Sequence, residues 1–260
     1  MLPVTSEEIM NRIVDRITRK LEEHSTEELP LSISFGVELK TDTNDDIRAV
    51  IKSAEDKMYR HKMIEQKSVH RAIIATLEKA LEERDYETEA HVRRMQELAI
   101  TLGKEVKVSK NVLDELKLLA ALHDIGKIAI ADNILLKPGK LSPEEWTMVK
   151  KHPEIGFRIA NSSADLGLIA EGILYHHESW NGSGYPKGLK GEEIPLISRI
   201  IAIVDAYDAM TNDRPYRAAL SKDEAIKELR KCAGTQFDPN LVETFITIIT
   251  QQSLIENVMA

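Results

Sequence analysis

Apolar side chains recur every three or four residues along most of the chain, which is the spacing of amphipathic helices. From residue 86 onward the pattern predicts helices joined by short loops. Their predicted bounds are 86–104, 109–123, 143–151, 154–161, 165–177, 195–212, 222–232 and 239–251. Ser142 and Pro143, followed by two glutamates, match the N-cap, first-turn proline and capping-box acid of a helix start. The glycine-rich stretch 181–188 predicts a loop.

The first third of the chain differs, because a strand pattern lies between two helical patterns. Apolar positions in residues 9–21 predict a first helix, and residues 31–39 alternate apolar and polar side chains, which predicts a half-buried strand. A second helix begins near Asp45 and runs through a polar stretch toward Leu81. A lone strand leaves both edges unpaired, so we expect a homodimer formed through this N-terminal segment.

These patterns predict a mainly α fold in two parts. We place a small α/β segment at residues 1–66 and an all-helical domain at residues 67–260. Apolar residues make up 42% of the chain and charged residues 30%, which excludes global disorder.

The net charge, the single cysteine and the absence of a long apolar run exclude several kinds of partner and site. With 35 basic and 43 acidic residues the net charge is −8, which argues against a nucleic acid polymer. Cys232 is the single cysteine, so neither an internal disulfide nor a thiolate cluster can form. No run of about 18 apolar residues is present, so we expect no membrane segment and a cytoplasmic location.

Imidazole and carboxylate groups gather at the ends of the predicted apolar helices. The candidate ligands for a metal are Glu87, His91, His123, Asp124, His152, His176, His177 and Asp205. Glu87 and His91 are one helical turn apart and share a face. Asp205 interrupts an apolar run, where an unpaired carboxylate is costly.

A metal centre accounts for all of these residues together. Eight ligands exceed the need of one ion, so two or three divalent ions are expected. Iron or manganese fits better than a structural zinc, because no thiolate cluster is available. Each residue alone has an ordinary alternative: the His123-Asp124 pair could lie at the surface, and Asp205 could accept backbone hydrogen bonds. The interpretation as a metal centre rests on the occurrence of all eight residues together.

Cationic side chains follow two of these positions. Lys127 lies four residues beyond His123, so one helical turn would set its ammonium beside the metals, where it could meet a phosphate oxygen. Residues 213–217 contain Arg214 and Arg217, whose guanidinium groups suit phosphate or guanine edges. The alternatives are a solvated lysine at a helix end and a surface loop with a salt bridge.

Several motifs, in order, resemble the HD-GYP family. They are HDIGK at 123–127, KPGKL at 137–141, the His152-Pro153 step and HHESWNGSGYP at 176–186. With Asp205 and residues 213–217, the resemblance covers about residues 68–250. It implies an all-helical, metal-dependent phosphohydrolase whose substrate is cyclic di-GMP, opened to linear pGpG and in some members on to GMP.

The resemblance also implies roles for individual residues. The metal ligands would be His123, Asp124, His152, His176, His177 and Asp205, with Glu87 and His91 at the positions that add a third metal in some members. Asp124 would bridge two ions and act in catalysis with Lys127, which falls near the scissile phosphate. Tyr185, Arg214 and Arg217 fall where members contact the substrate.

On this basis we expect hydrolysis by a hydroxide that bridges two metal ions. Two alternatives stay open. One is a phosphohydrolase for another nucleotide or another cyclic dinucleotide, such as cyclic GMP-AMP. The other is a receptor that binds a cyclic dinucleotide without cleaving it, for which loss of metal ligands would be the mark.

The N-terminal segment resembles the second half of a GGDEF domain. The similarity lies in Leu2-Pro3 and the helix after it, in residues 32–37 and in residues 54–62. The loop that names the GGDEF family is absent, so we expect no synthesis of cyclic di-GMP.

Overall fold

The computed structural model describes residues 6–25, 33–40, 46–82, 88–163, 166–213 and 218–259. Contacts divide the chain into two compact units, residues 1–74 and 75–260. The helices are α1 (Glu7–His24), α2 (Ile47–Glu82), α3 (Glu89–Glu105), α4 (Lys110–Leu122), α5 (Asp132–Leu135), α6 (Pro143–Val149), α7 (His152–Asn161), α8 (Ala170–Tyr175), α9 (Leu196–Thr211), α10 (Lys222–Cys232) and α11 (Pro239–Met259).

The first unit contains α1, most of α2 and the segment 33–40. The predicted strand is wrong for the part of it that the structure describes, because residues 33–40 form no strand; residues 31 and 32 lie outside the described ranges. A strand needs a partner for its backbone groups, and no second strand is present among the described residues. The segment lies against α2 instead, with the Glu38 carboxylate 3.0 Å from Lys57 Nζ and accepting a hydrogen bond from Ser53 Oγ.

In the second unit, hydroxyl side chains start the helices. Thr88, Ser109, Ser142 and Ser221 are the N-caps of α3, α4, α6 and α10, and each accepts a hydrogen bond from a backbone N–H of the first turn. The predicted capping box of Ser142 is confirmed, since Glu145 also accepts a hydrogen bond from the Ser142 N–H. These caps satisfy N–H groups that a helix start leaves without intrahelical partners.

The core lies where α3, α4, α8, α9 and α11 pack together. Its largest fully buried side chains include Met95, Leu102, Leu116, Ile200 and Phe245. Burial of this apolar surface is the main driving force that holds the helices in place.

The structure changes three predicted boundaries. The predicted helix 165–177 is a 3₁₀ turn (Gly167–Ile169) followed by α8, which ends before His176. The chain beyond α4 forms another 3₁₀ turn, Ile125–Ala129, and α11 extends to Met259. Among the described residues, no helix is long and apolar enough to span a membrane.

Candidate metal centre

The predicted ligands meet because they lie at the ends of packed helices. His123 and Asp124 follow α4, His152 is the first residue of α7, and His176 and His177 follow α8. The ligand atoms fall into two groups, and within each group they lie within 4.8 Å of one another. The Asp124 group consists of Asp124, His152, His176 and His177, and the His91 group consists of His91, His123 and Asp205.

Asp124 lies at the junction of the two groups. Its Oδ1 atom is 2.8 Å from His152 Nε2 and 3.5 Å from His176 Nε2. Its Oδ2 atom is 3.4 Å from Nε2 of His123, a member of the other group. One carboxylate therefore faces imidazoles of both groups.

Three histidines are oriented by their own backbone. Nδ1 of His123, His152 and His176 lies 3.3, 2.8 and 2.6 Å from the carbonyl oxygen three residues earlier, at Ala120, Val149 and Ile173. A carbonyl only accepts hydrogen bonds, so Nδ1 carries the proton in each ring and donates it. Nε2, which faces Asp124, is left with its lone pair, the form in which histidine binds a metal.

Burial keeps these groups in the protonation states that suit a cation. Loss of hydration lowers the pKa of His123 and His176, and it lowers the pKa of His177 well below the ordinary histidine value. Burial opposes ionisation of Asp124, but the positive charge of Lys127 and the surrounding imidazoles hold the pKa of this carboxyl well below its ordinary value. Neutral imidazoles around a carboxylate are a ligand set for a divalent ion.

Within the His91 group, His91 itself is oriented by a side chain rather than by its own backbone. His91 is buried, and its Nδ1 lies 2.6 Å from Oδ2 of Asp208. Asp208 is buried in α9, one helical turn beyond Asp205. Glu87, the other ligand predicted for this region, lies outside the described residues.

Gly126 explains how α7 reaches Asp124. A Cβ atom at Gly126 would overlap the His152 carbonyl and would lie 2.6 Å from the Gly156 backbone nitrogen. Only a glycine therefore lets the turn after α4 pack this closely on the start of α7. The contact sets His152 beside Asp124.

Lys127 lies beside the Asp124 group, although not on the predicted helical turn. It lies in the 3₁₀ turn Ile125–Ala129, and its Nζ is 2.7 Å from Asp124 Oδ2. The side chain is 18% exposed, so its ammonium reaches the edge of the cluster.

The loop 178–188 sets Tyr185 against the cluster. The buried Glu178 carboxylate accepts hydrogen bonds from the backbone N–H groups of Lys187 and Gly188 through its Oε1 atom. The Tyr185 N–H donates to the His177 carbonyl oxygen, and the two rings lie 5.0 Å apart. Burial raises the pKa of the Tyr185 phenol, so it stays protonated at neutral pH.

The structure thus brings together seven of the eight predicted ligands, Lys127 and Tyr185. Arg214 and Arg217 lie outside the described residues. Sequence reasoning missed Asp208, Arg94 and Glu178. The sequence could have indicated Asp208, because it is a second carboxylate within the apolar α9, one helical turn after Asp205.

Orphaned polar atoms test whether a metal fits this site. His123 Nε2 and Asp124 Oδ1 are buried and make no hydrogen bond. Buried polar atoms are normally hydrogen-bonded, so these two atoms, one in each ligand group, are in a position to bind a cation. The residues present fit divalent metal ions.

Comparison with known proteins identifies the family of this chain. The HD domain family profile matches residues 75–241. A cyclic di-GMP phosphodiesterase of Thermotoga maritima is 43% identical over 178 residues, which cover 68% of this chain and 48% of the relative. The cyclic di-GMP phosphodiesterase response regulator RpfG of Xanthomonas campestris is 39% identical over 71% of this chain and 49% of its own length.

Other relatives have a different substrate in their names. A 3′3′-cGAMP-specific phosphodiesterase of Vibrio cholerae is 38% identical over 71% of this chain and 36% of its own length. The chain spans about half the length of the first two relatives.

Solved structures support the fold. The crystal structure of a Vibrio cholerae cyclic GMP-AMP-specific phosphodiesterase superposes with a TM-score of 0.53 at 22% identity, over 72% of this chain and 50% of that chain. With the cluster geometry and the family match, the chain belongs to the HD domain family, as the resemblance of its motifs to the HD-GYP proteins predicted.

Proposed function

We propose that this chain is a metal-dependent phosphodiesterase that hydrolyses cyclic di-GMP, either to pGpG or further to GMP. The observation that carries the proposal is the buried Asp124 carboxylate, which faces imidazoles of two ligand groups and an ammonium. The cyclic di-GMP phosphodiesterases among its relatives support this choice of substrate.

The two groups would hold the metals. We propose one ion in the Asp124 group and one in the His91 group, with Asp124 between them and Glu87 as a ligand of a third ion. Nitrogen and oxygen donors without a thiolate favour iron or manganese. Bound divalent ions would supply positive charge to the phosphate oxygens and would lower the pKa of bound water.

The chain's own residues position the phosphodiester. The Lys127 ammonium makes an ion pair with Asp124, and we propose that it also contacts a phosphate oxygen of the substrate. There it would stabilise negative charge that develops as the P–O bond breaks. Lys127 also helps to keep Asp124 ionised, so the carboxylate cannot be neutralised by a proton at neutral pH.

Tyr185 and the two arginines would hold the rest of the substrate. The Tyr185 phenol stays protonated, so it donates a hydrogen bond to a phosphate or ribose oxygen rather than accepting one as an anion. We propose that Arg214 and Arg217 bind the second phosphate or a guanine edge. Together with the metals they give a locally positive site on a chain of net charge −8.

A second candidate substrate is 3′3′-cyclic GMP-AMP, because a relative of similar identity has that specificity in its name. A silent receptor is disfavoured, because its mark would be lost ligands, and each predicted ligand among the described residues belongs to one of the two groups that could hold a metal ion. The homodimer stays a prediction, and the strand edge on which it rested is not found among the described residues.

The test is an anaerobic incubation of metal-analysed protein with each cyclic dinucleotide, with products resolved by chromatography. We expect pGpG or GMP from cyclic di-GMP with the parent, and no product with Asp124→Ala. Faster cleavage of cyclic GMP-AMP would make that nucleotide the substrate. No cleavage of either by metal-loaded protein would contradict the proposal.

A further inference from the structure

One histidine of the cluster has a different partner from the others. His123, His152 and His176 donate from Nδ1 to neutral carbonyl oxygens of their own helical turns. His91 donates from Nδ1 to the Asp208 carboxylate, which is 117 residues away in sequence and 2.6 Å away in space. A carboxylate partner gives an imidazole more negative character at Nε2 and makes it a stronger ligand than a carbonyl partner does.

Asp208 is itself firmly held. Its two oxygens accept hydrogen bonds from Arg94 Nη2 at 3.0 Å, from Arg94 Nε and from Asn212 Nδ2 at 3.0 Å. These hydrogen bonds fix the position of the Asp208 carboxylate, and the carboxylate in turn fixes the orientation of the His91 ring.

We propose that Asp208, oriented by Arg94, is a positioning residue that sets the affinity of the His91 group for its metal ion. The inference rests on the metal centre of the proposed function and goes beyond it, because it assigns control of one of the two groups to residues that are not ligands. The Asp124 group has no such dependence, since backbone carbonyls orient His152 and His176.

The alternative is that Asp208 and Arg94 only cross-link α3 and α9. The chain offers a matched control for that role in Arg199 and Asp238. Asp238 is as buried as Asp208, and its Oδ2 is 2.7 Å from Arg199 Nη1, but its other oxygen accepts backbone N–H bonds at the start of α11. Asp238→Asn should lower stability without changing metal binding.

The experiment titrates metal-free protein with Mn²⁺ and follows bound ions by calorimetry and by the electron paramagnetic resonance signal of free Mn²⁺. In Asp208→Asn we expect one binding step to weaken about 10- to 100-fold, while the other steps match those of the parent. Asp238→Asn should give the parent titration. Asp208→Asn titrating like the parent would overturn the inference.

Arg94→Gln covers the case in which Asp208→Asn does not fold, because the Arg94 side chain is partly exposed. This variant keeps the Asp208 carboxylate but removes the Arg94 guanidinium that orients it, so the same Mn²⁺-binding step should weaken several-fold. An unchanged titration in this variant would also count against the inference. A parent that binds no Mn²⁺ would overturn both this inference and the proposed function, whereas a parent that binds Mn²⁺ but cleaves no cyclic dinucleotide would overturn only the function.

Discussion

The Asp124 group and the His91 group share one carboxylate neighbour but are built in different ways. In the Asp124 group the histidines lie at helix ends, and His152 and His176 are each oriented by a carbonyl three residues earlier. In the His91 group, His91 and Asp205 lie within long helices, and His91 is oriented by Asp208 of a distant helix. In the His91 group, His123 is also oriented by a carbonyl of its own turn, but His91 depends on a tertiary contact. The His91 group should therefore be more sensitive to substitutions that touch no ligand.

Removing Asp124 should have the largest effect, because this side chain faces both groups. We expect Asp124→Ala to lose metal from both groups and to reduce turnover to about one thousandth or less of the parent rate, since metal charge and activated water are lost together. Metal analysis beside product chromatography measures both. Asp114→Ala, an exposed carboxylate of α4, is the control and should match the parent. Metal loss confined to one group would show that Asp124 does not join them.

Lys127→Ala should separate binding from chemistry. The ligands of both groups remain, so metal content should match the parent. Turnover should fall about 100-fold, the usual cost of one lost donor at a developing negative charge. The exposed Lys117 of α4 provides the control variant Lys117→Ala. Retained turnover in Lys127→Ala would remove the lysine from the mechanism.

Acid should destabilise the metal-free protein through its buried imidazoles. Burial holds the pKa of His123, His176 and His177 below the unfolded value of 6.5, so the unfolded chain binds more protons than the folded one below that pH. Stability should be fully present above pH 6.5 and should fall below it, by up to about 1.4 kcal/mol per pH unit for each histidine. Urea unfolding at pH 7.5 and pH 5.5 measures this, and equal stability at both would contradict it.

Gly126→Ala should disturb one group more than the other. The added Cβ meets the His152 carbonyl, so α7 must shift and His152 with it. We expect a loss of about 1–3 kcal/mol in the free energy of unfolding and weaker metal binding in the Asp124 group only. Gly167→Ala is the control, because a Cβ there has no atom within 4 Å. Equal weakening of metal binding in both groups would contradict this prediction.

Much of the helical unit could be predicted from the sequence. Helical periodicity and hydroxyl caps located α3, α4, α6, α9 and α10 to within a few residues, because these signals are local. The predicted strand at residues 31–39 is wrong for the residues that the structure describes. Alternating apolar and polar side chains indicate a segment with two different faces, but they do not show whether a partner strand exists.

The candidate metal ligands could also be predicted from the sequence, because they are polar residues that interrupt or end apolar runs. The sequence did not predict how these ligands are arranged in space. The closeness of His152 to Asp124 depends on how tightly Gly126 lets α7 pack, and the Asp208–His91 contact joins residues 117 apart. Such contacts exist only once the helices have packed.

Anomalous diffraction from crystals of protein loaded with Mn²⁺ would locate the bound ions within the two ligand groups. We expect one peak coordinated by the Asp124 group and a second coordinated by the His91 group, both in contact with Asp124. A single peak outside both groups, or no peak in metal-loaded crystals, would contradict the assignment of this cluster as a shared metal centre.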